Sequence, residues 1–401
     1  MSAGTPSRKG VFFYEAVFYR DEAGRIYSNG NIGRDALTLY LTCVDHLDVF
    51  CRLKKVRADE ATSLVNISAD ALTFRSIGLK SWFALPLLFP WVLVVLARSW
   101  LNADVVIMRL PSIVSILLWP ISRLAERPVV VELVSNPAGL LKNAYPRLAG
   151  IAILDRLMTS VTRRWVARSL GCIYVTRRTL QALYPSGGGS THASNVRIES
   201  LDTHTLGQRL SGPALADRPV LRVGLIGSLS NEYKGIDVAI AAISTLREAG
   251  LPVVLHVLGK GPLMDKYLAL ARRLGCPDGV HFVGTKRKGK EVLDWLTSMD
   301  VYIQPSRVEG LPRALVEAMS VSLPCVATAV GGMPELLDEE WLVATEDSGA
   351  LAEKLHTLLT DDELYRQQAQ ANFDKAGEFV YDNIVSRKRD FLKNLIPRLS
   401  S

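Results

Sequence analysis

Two glutamates eight positions apart, Glu309 and Glu317, flank a turn and a helix start, and no other pair in the chain is better placed to do chemistry. The stretch 301–319, VYIQPSRVEGLPRALVEAM, begins as a buried strand and leaves it through Gln304-Pro305-Ser306. It turns at Glu309-Gly310-Leu311-Pro312 and enters a helix with Pro312 in its first turn. A helix start carries roughly half a positive charge and several unpaired N–H donors, which suits a diphosphate. Phosphate binding alone leaves the carboxylates unexplained. Sugar hydroxyls donate charge-assisted hydrogen bonds to carboxylates, so the pattern implies a phosphate pocket beside a polyol, as a nucleotide sugar would need.

Such a site needs a rigid frame, and the chain repeats strand and helix throughout. Strands are expected at 11–19, 48–52, 104–108, 128–134 and 172–176, with Gly30-Asn31-Ile32-Gly33 opening a helix. Repeated units of this kind imply a parallel sheet covered by helices on both faces. At 401 residues the chain exceeds what one core usually supports. The polar stretch with Gly207, Gly212, Pro213 and Pro219 breaks the rhythm, which restarts at Val220. The expected organisation is an N-terminal domain over 1–205, a linker over 206–219, a second domain over 220–375 and a C-terminal helix over 376–401. The expected fold class is therefore α/β, with two doubly wound, Rossmann-like parallel-sheet domains. Ligands of such sheets bind beyond the carboxyl ends of the strands, so two facing domains would form a cleft.

The spaced glutamates, followed by Ala327-Thr328-Ala329-Val330-Gly331-Gly332-Met333-Pro334-Glu335, resemble family 4 of the retaining GT-B glycosyltransferases, of the bacterial polysaccharide type. The resemblance extends upstream through Leu225-Ile226-Gly227-Ser228-Leu229 with Lys234-Gly235, Val257-Leu258-Gly259-Lys260-Gly261-Pro262, Val280-His281-Phe282-Val283-Gly284 and Met299-Asp300, and so spans 221–345. It implies that Lys234 meets the diphosphate as negative charge grows on it, that Glu317 accepts from ribose hydroxyls, and that Glu309 contacts the transferred sugar. Gly310, Leu311 and Pro312 would add backbone contacts. Gly259 and Gly284 would line the base pocket, and Gly30 and Gly33 would form the glycine-rich first loop. The last helix would cross back to the N-terminal domain. Two departures stand out. The family's arginine after the strand glycine is Ser228 here, so either Arg313 or Arg307 supplies the second cation or stabilisation of the leaving group rests on Lys234 and helix dipoles. The family's histidine after strand 128–134 is missing, and the polar groups left there are Glu132 and Asn136, downstream of Arg109-Leu110-Pro111. Both are expected to face the cleft, Glu132 in a catalytic role.

Charge is unevenly placed. Residues 1–200 hold 24 Lys and Arg against 14 Asp and Glu, which leaves 23 against 26 for the rest and gives the net +7. A basic half implies an anionic partner, and with no helix-turn-helix or aromatic-basic repeat that partner is expected to be a bilayer surface rather than nucleic acid. The apolar window 82–96, interrupted by Pro86 and Pro90, is too short to span a bilayer. It implies a buried helix or an interfacial one with Trp82, Trp91 and Trp100 at headgroup level. Residues 155–169, with Arg156, Arg163, Arg164 and Arg168, form a second candidate for lipid phosphates or a solvated face. Five cysteines without a C-x-x-C pair, and an N-terminus without a long apolar core, fit a reducing cytoplasm. The six histidines have no metal-ligand spacing, so metal-independent chemistry with no bound cofactor is expected. Transfer onto a lipid-linked or growing glycan is the leading expectation. A nucleotide-sugar 2-epimerase of the same architecture and a non-catalytic nucleotide-sugar binder are the alternatives.

Overall fold

The structure, a computed structural model, describes residues 7–29, 32–61, 64–78, 85–145 and 148–399. It divides into two compact units. The first comprises Met1–Ala138, Ile153–Ala193 and Val385–Ser401, and the second Gly139–Ala152 and Ser194–Ile384.

The first unit is built on a sheet of nine strands: β1 (Lys9–Arg20), β2 (Ile26–Ser28), β3 (His46–Lys55), β4 (Val65–Asn66), β5 (Leu72–Ser76), β6 (Val105–Leu110), β7 (Val129–Leu133), β8 (Gly171–Tyr174) and β9 (Gly189–His192). Its parallel part runs β5-β3-β1-β6-β7-β8-β9, while β2 and β4 add an antiparallel corner beside β1. β6, β7 and β8 are buried along their whole length, as strands covered on both faces must be. Strand order reverses between β1 and β6, and there the unit fills its own helix start. Glu15 of β1 accepts from the Val114 N–H at 2.6 Å and the Ser112 hydroxyl at 2.9 Å, capping the helix Ile113–Ile121.

The second unit carries six parallel strands: β10 (Leu221–Ile226), β11 (Val253–Leu258), β12 (Val280–Gly284), β13 (Val301–Gln304), β14 (Cys325–Thr328) and β15 (Leu342–Val343). Their order is β12-β11-β10-β13-β14-β15, so the reversal lies between β10 and β13. Val223, Leu225, Val257, Ile303 and Val326 lie in one continuous core.

Several expectations change here. The stretch expected to be a linker, 206–219, takes in the second half of the helix Thr203–Leu210, capped by Asp202, and belongs to the second unit. Arg209 fixes it by donating to the Tyr365 hydroxyl at 2.6 Å, and Leu215 is buried. Polar composition there is that of a surface helix, not of a free connection. Glu132, expected to face a cleft, is 1% exposed. It accepts from Arg109 at 3.0 Å, Lys388 at 3.2 Å and the Tyr40 hydroxyl at 3.2 Å. Burial opposes its charge, but Arg109 and Lys388 outweigh burial and bring its pKa down to about 2. Lys388 lies in the last helix, Tyr381–Leu399, whose Phe391 and Leu395 pack over Gly171. Glu132 is thus the ionic anchor of that helix on the N-terminal sheet. Trp100, which the interfacial alternative places at headgroup level, is buried and donates its indole N–H to the Ala125 carbonyl at 2.8 Å. Trp91 is exposed on the same helix, Leu85–Leu101, and Trp82 lies outside the described residues. Among the described residues no helix is long and apolar enough to cross a membrane.

Removing one partner of a buried ion pair strands the other charge. Glu132→Gln should therefore lower unfolding free energy by about 3–5 kcal/mol in denaturant melts. Because the folded pKa lies below the ordinary 4.5, this stabilisation is complete above that value and is lost as pH falls toward 2. The variant's melting temperature should accordingly depend less on acid pH than that of the parent.

Candidate functional site

The reversal between β10 and β13 sends two neighbouring exit loops in opposite directions from the same sheet end, and each delivers one charge. Lys234 comes from the loop after β10 and Glu309 from the loop after β13, and the Lys234 ammonium is ion-paired to Glu309 Oε1. Both side chains are largely buried, at 16% and 11% exposure. Glu309 Oε1 also accepts from the Ser306 hydroxyl at 2.9 Å and Gln304 Nε2 at 3.2 Å, and Gln304 in turn accepts from the Tyr302 hydroxyl at 2.6 Å. Among the described residues every hydrogen bond to this side chain goes to Oε1, which leaves Oε2 for a ligand. Gly331, at φ +58°, lets the next loop pass beneath, since a Cβ there would lie 2.3 Å from the Glu309 carbonyl. Burial alone would push Lys234's pKa down, but Glu309 and Tyr233 outweigh it and raise it, so the ammonium is held charged.

The helix Arg313–Ser320 starts beside this pair, with Pro312 at its N-cap and no side chain capping it. Its first N–H groups are left for an anion. Glu317 lies one turn along, and burial raises its pKa against the opposing pull of Arg313 and Lys288. Arg313 also acts on Lys234, so its charge reaches both sides of the helix start. Lys288, in the turn before the helix Lys290–Thr297, has its pKa pushed down to about 8 by burial and by Arg313, with Glu317 opposing. Three cations thus converge with two carboxylates around one helix N-terminus, which is an arrangement for an anion joined to a hydroxyl-rich group.

The structure brings together Lys234, Glu309, Gly310, Leu311, Pro312, Arg313 and Glu317. Arg307, one of the two substitutes considered for the missing arginine, is tied at 3.0 and 2.8 Å to Asp237 and is paired with Glu346, which leaves Arg313. Ser228 follows β10 directly, with its hydroxyl in a turn with Ser230 at 3.0 Å. Gly259 stands at the same sheet end, but its missing side chain serves the neighbouring loop, since a Cβ would meet the Gly227 carbonyl oxygen at 1.8 Å. Gly284 is bridged to Gly259 and turns at φ +83°. Gly33 caps the five-residue helix Arg34–Thr38 in an extended conformation, and Gly30 lies outside the described residues. In the first unit, Asn136 accepts from the Tyr184 hydroxyl at 2.7 Å and from the Ala138 N–H at 3.0 Å, and Glu132 is enclosed in its ion network. Sequence reasoning missed Gln304 and Ser306 as supports and Lys288 as a cation. A glutamine closing the apolar run Val301-Tyr302-Ile303 was the available signal for the first. Lys288, in the run Lys286-Arg287-Lys288, looks like any solvated charge. Among the described residues no three His, Cys, Asp or Glu side chains gather as a metal site.

Two outcomes follow for a nucleoside diphosphate sugar. Glu317→Ala should weaken its binding on the order of 10–100-fold by calorimetry, the loss of one or two charge-assisted hydrogen bonds. Lys288 carries its charge below its pKa of about 8, so affinity should fall as pH rises through that value. Lys288→Met should flatten that alkaline limb while leaving Glu317-dependent binding in place.

Residues 221–361, most of the second unit, match the family described as glycosyl transferases group 1. Across nearly the whole chain, protein CapJ of Staphylococcus aureus is 27% identical over 361 residues, 88% of each sequence. The amylovoran biosynthesis glycosyltransferase AmsK of Erwinia amylovora is 33% identical over 141 residues, 33% of this chain and 34% of its own. The structure of Anabaena HepE in complex with UDP and glucose superposes with a TM-score of 0.65 over 97% of this chain and 99% of that one, at 17% identity, which shows a shared fold. With two Rossmann-like parallel sheets and the motif set assembled at the second sheet's reversal point, the chain is a glycosyltransferase of GT-B fold.

Proposed function

We propose that this enzyme moves a sugar, with retention of anomeric configuration, from a nucleotide-diphosphate donor onto a lipid-linked or growing polysaccharide acceptor at the inner face of the cell membrane. One observation carries the reading: the paired Lys234 and Glu309 stand beside an uncapped helix start that also holds Arg313 and Glu317. The diphosphate takes the helix N–H groups and the cations, and Glu317 accepts from the ribose. Glu309 Oε2 meets the sugar.

With Glu309 held through Oε1 by Lys234, Ser306 and Gln304, its role in this reading is to accept from the sugar and steady its charge rather than to form a covalent bond, and the chemistry is a front-face displacement. The bond from the anomeric carbon to the β-phosphate oxygen breaks, with its electron pair leaving on that oxygen. The acceptor oxygen bonds to the same face of the anomeric carbon, and its proton passes to the departing phosphate oxygen. Lys234 and Arg313 neutralise the charge growing on the leaving group, and Glu309 steadies the positive charge on the ring. Three cations and a helix dipole supply what a divalent ion would otherwise supply, which supports metal-independent transfer. A nucleotide-sugar donor is supported by HepE, solved with UDP and glucose, and a polysaccharide product by AmsK, named for amylovoran biosynthesis.

Calorimetry with UDP-, GDP- and ADP-sugars identifies the donor, and NMR of the product with the matching acceptor gives its anomeric configuration. The expected product keeps the donor's configuration, and an inverted product overturns the front-face reading. Lys234→Ala should lower kcat by about 10²–10³, the usual cost of losing one charge-stabilising donor. Activity undiminished in that variant would remove Lys234 from the mechanism.

A further inference from the structure

We propose that the outer face of the helix Ile151–Arg168, together with Trp119 and Arg123 beside it, is the surface by which this chain lies on an anionic bilayer. Ile153, Leu157, Arg164 and Arg168 fall at spacings of four, seven and four, within about 60° of one another at 100° per residue. Ile153 is 72% and Leu157 42% exposed, and Arg156 and Arg163 flank the stripe. The helix's one acid, Asp155, points inward and is buried.

A tryptophan holds the charges in place. Trp119, near the end of the helix Ile113–Ile121, has Arg168 over its ring at 5.0 Å, Arg123 at 5.7 Å and Arg164 at 5.9 Å. Its edge packs on Trp165 at 5.1 Å, and Trp165 on Trp100 at 5.7 Å, so the platform is rooted in the core. Arg163 lies over Tyr184 at 5.8 Å. Among the described residues no carboxylate pairs with Arg123, Arg156, Arg163, Arg164 or Arg168.

The three guanidinium groups gathered on the Trp119 ring repel one another, and an opposing anionic surface removes that cost. Arginine stacked on indole is already partly desolvated and presents its planar fork to phosphate. Ile153 and Leu157 between the arginines, with Leu124 exposed next to Arg123, suit the boundary between headgroups and acyl chains. A polyanion such as nucleic acid would satisfy the charges but offers those aliphatic side chains nothing. The anionic bilayer is therefore the occupant that uses every exposed group on this face. The inference rests on the membrane location proposed above and on none of the sugar chemistry.

The test is co-sedimentation of the full chain, without donor or acceptor, with vesicles of phosphatidylglycerol mixed into phosphatidylcholine and with phosphatidylcholine alone. Binding is expected only to the anionic vesicles and is expected to weaken with salt. Each basic side chain near such a surface contributes roughly fivefold, so Arg164→Glu with Arg168→Glu should lower vesicle affinity by about 100-fold or more. Leu157→Ser should lower it by less and with less sensitivity to salt. Unchanged melting temperature and donor binding in these variants would show that the fold and sugar site are intact. No binding of the parent chain to anionic vesicles, vesicle binding untouched by the charge reversal, or preferential capture of a nucleic-acid duplex at the same salt would each overturn the proposal. Loss of donor binding in Glu317→Ala with vesicle binding retained concerns only the donor site, so the two readings fail separately.

Discussion

The pairing of Lys234 with Glu309 is the constraint on which the second unit turns, and it follows from topology before it follows from chemistry. A parallel sheet that winds outward in both directions must leave two neighbouring strands whose exit loops diverge. In this sheet those strands are β10 and β13, and the space between their loops holds the two charges. Everything else there serves that junction. Gln304 and Ser306 fix one carboxylate oxygen, Gly331 lets the next loop come close behind it, and Arg307 ties its own loop to Asp237.

The first sheet has the same kind of junction, and the comparison separates a junction filled from within the protein from one left open. Between β1 and β6, Glu15 and Ser112 satisfy the start of the helix Ile113–Ile121 from within the protein. Between β10 and β13, no side chain caps the helix Arg313–Ser320, and the cations stand around it. One helix dipole is spent on folding, and the other is left for a ligand. The two Lys–Glu pairs divide in the same way. Glu132 is enclosed by Arg109, Lys388 and Tyr40 and acts through the position of the last helix. Glu309 keeps an oxygen at the edge of its site.

This division decides what was legible in the sequence. The second unit's strands, its glycine-marked loops and the gathering of the candidate-site residues at one sheet end follow from local signals, because each of those residues lies within a few positions of a strand end. The nature of Glu132 does not follow, since its partner Lys388 is 256 residues away, and a glutamate at the end of an apolar strand looks the same in a cleft as in a closed ion network. β5 and β9 escaped because Leu72–Ser76 is short and polar at one end and Gly189–His192 has no apolar side chain, so that only pairing with a neighbour makes them strands. Gly259, expected to line a base pocket, is a point of close approach within the sheet itself, where the group that approaches is the Gly227 carbonyl. Proximity through the fold, rather than residue type, supplied each missing piece.

The uneven charge along the chain has its own physical logic. A nucleotide sugar is as anionic as a lipid headgroup, yet residues 201–401, which carry the candidate site, hold 23 Lys and Arg against 26 Asp and Glu. A few cations facing one another around a helix N-terminus concentrate their field on a small ligand, and neighbouring acids can balance the rest of the domain without weakening it. A bilayer offers no such focus, because its charge is spread over a plane and screened within about 8 Å at physiological salt. Contact with it requires many cations at one level and without acids among them. The stripe on the helix Ile151–Arg168 is that kind of surface, with Asp155 turned inward and the arginines spaced along the outside. Focused charge selects a molecule, and distributed charge selects a surface, so the two halves of this chain need not share a charge balance to serve one reaction.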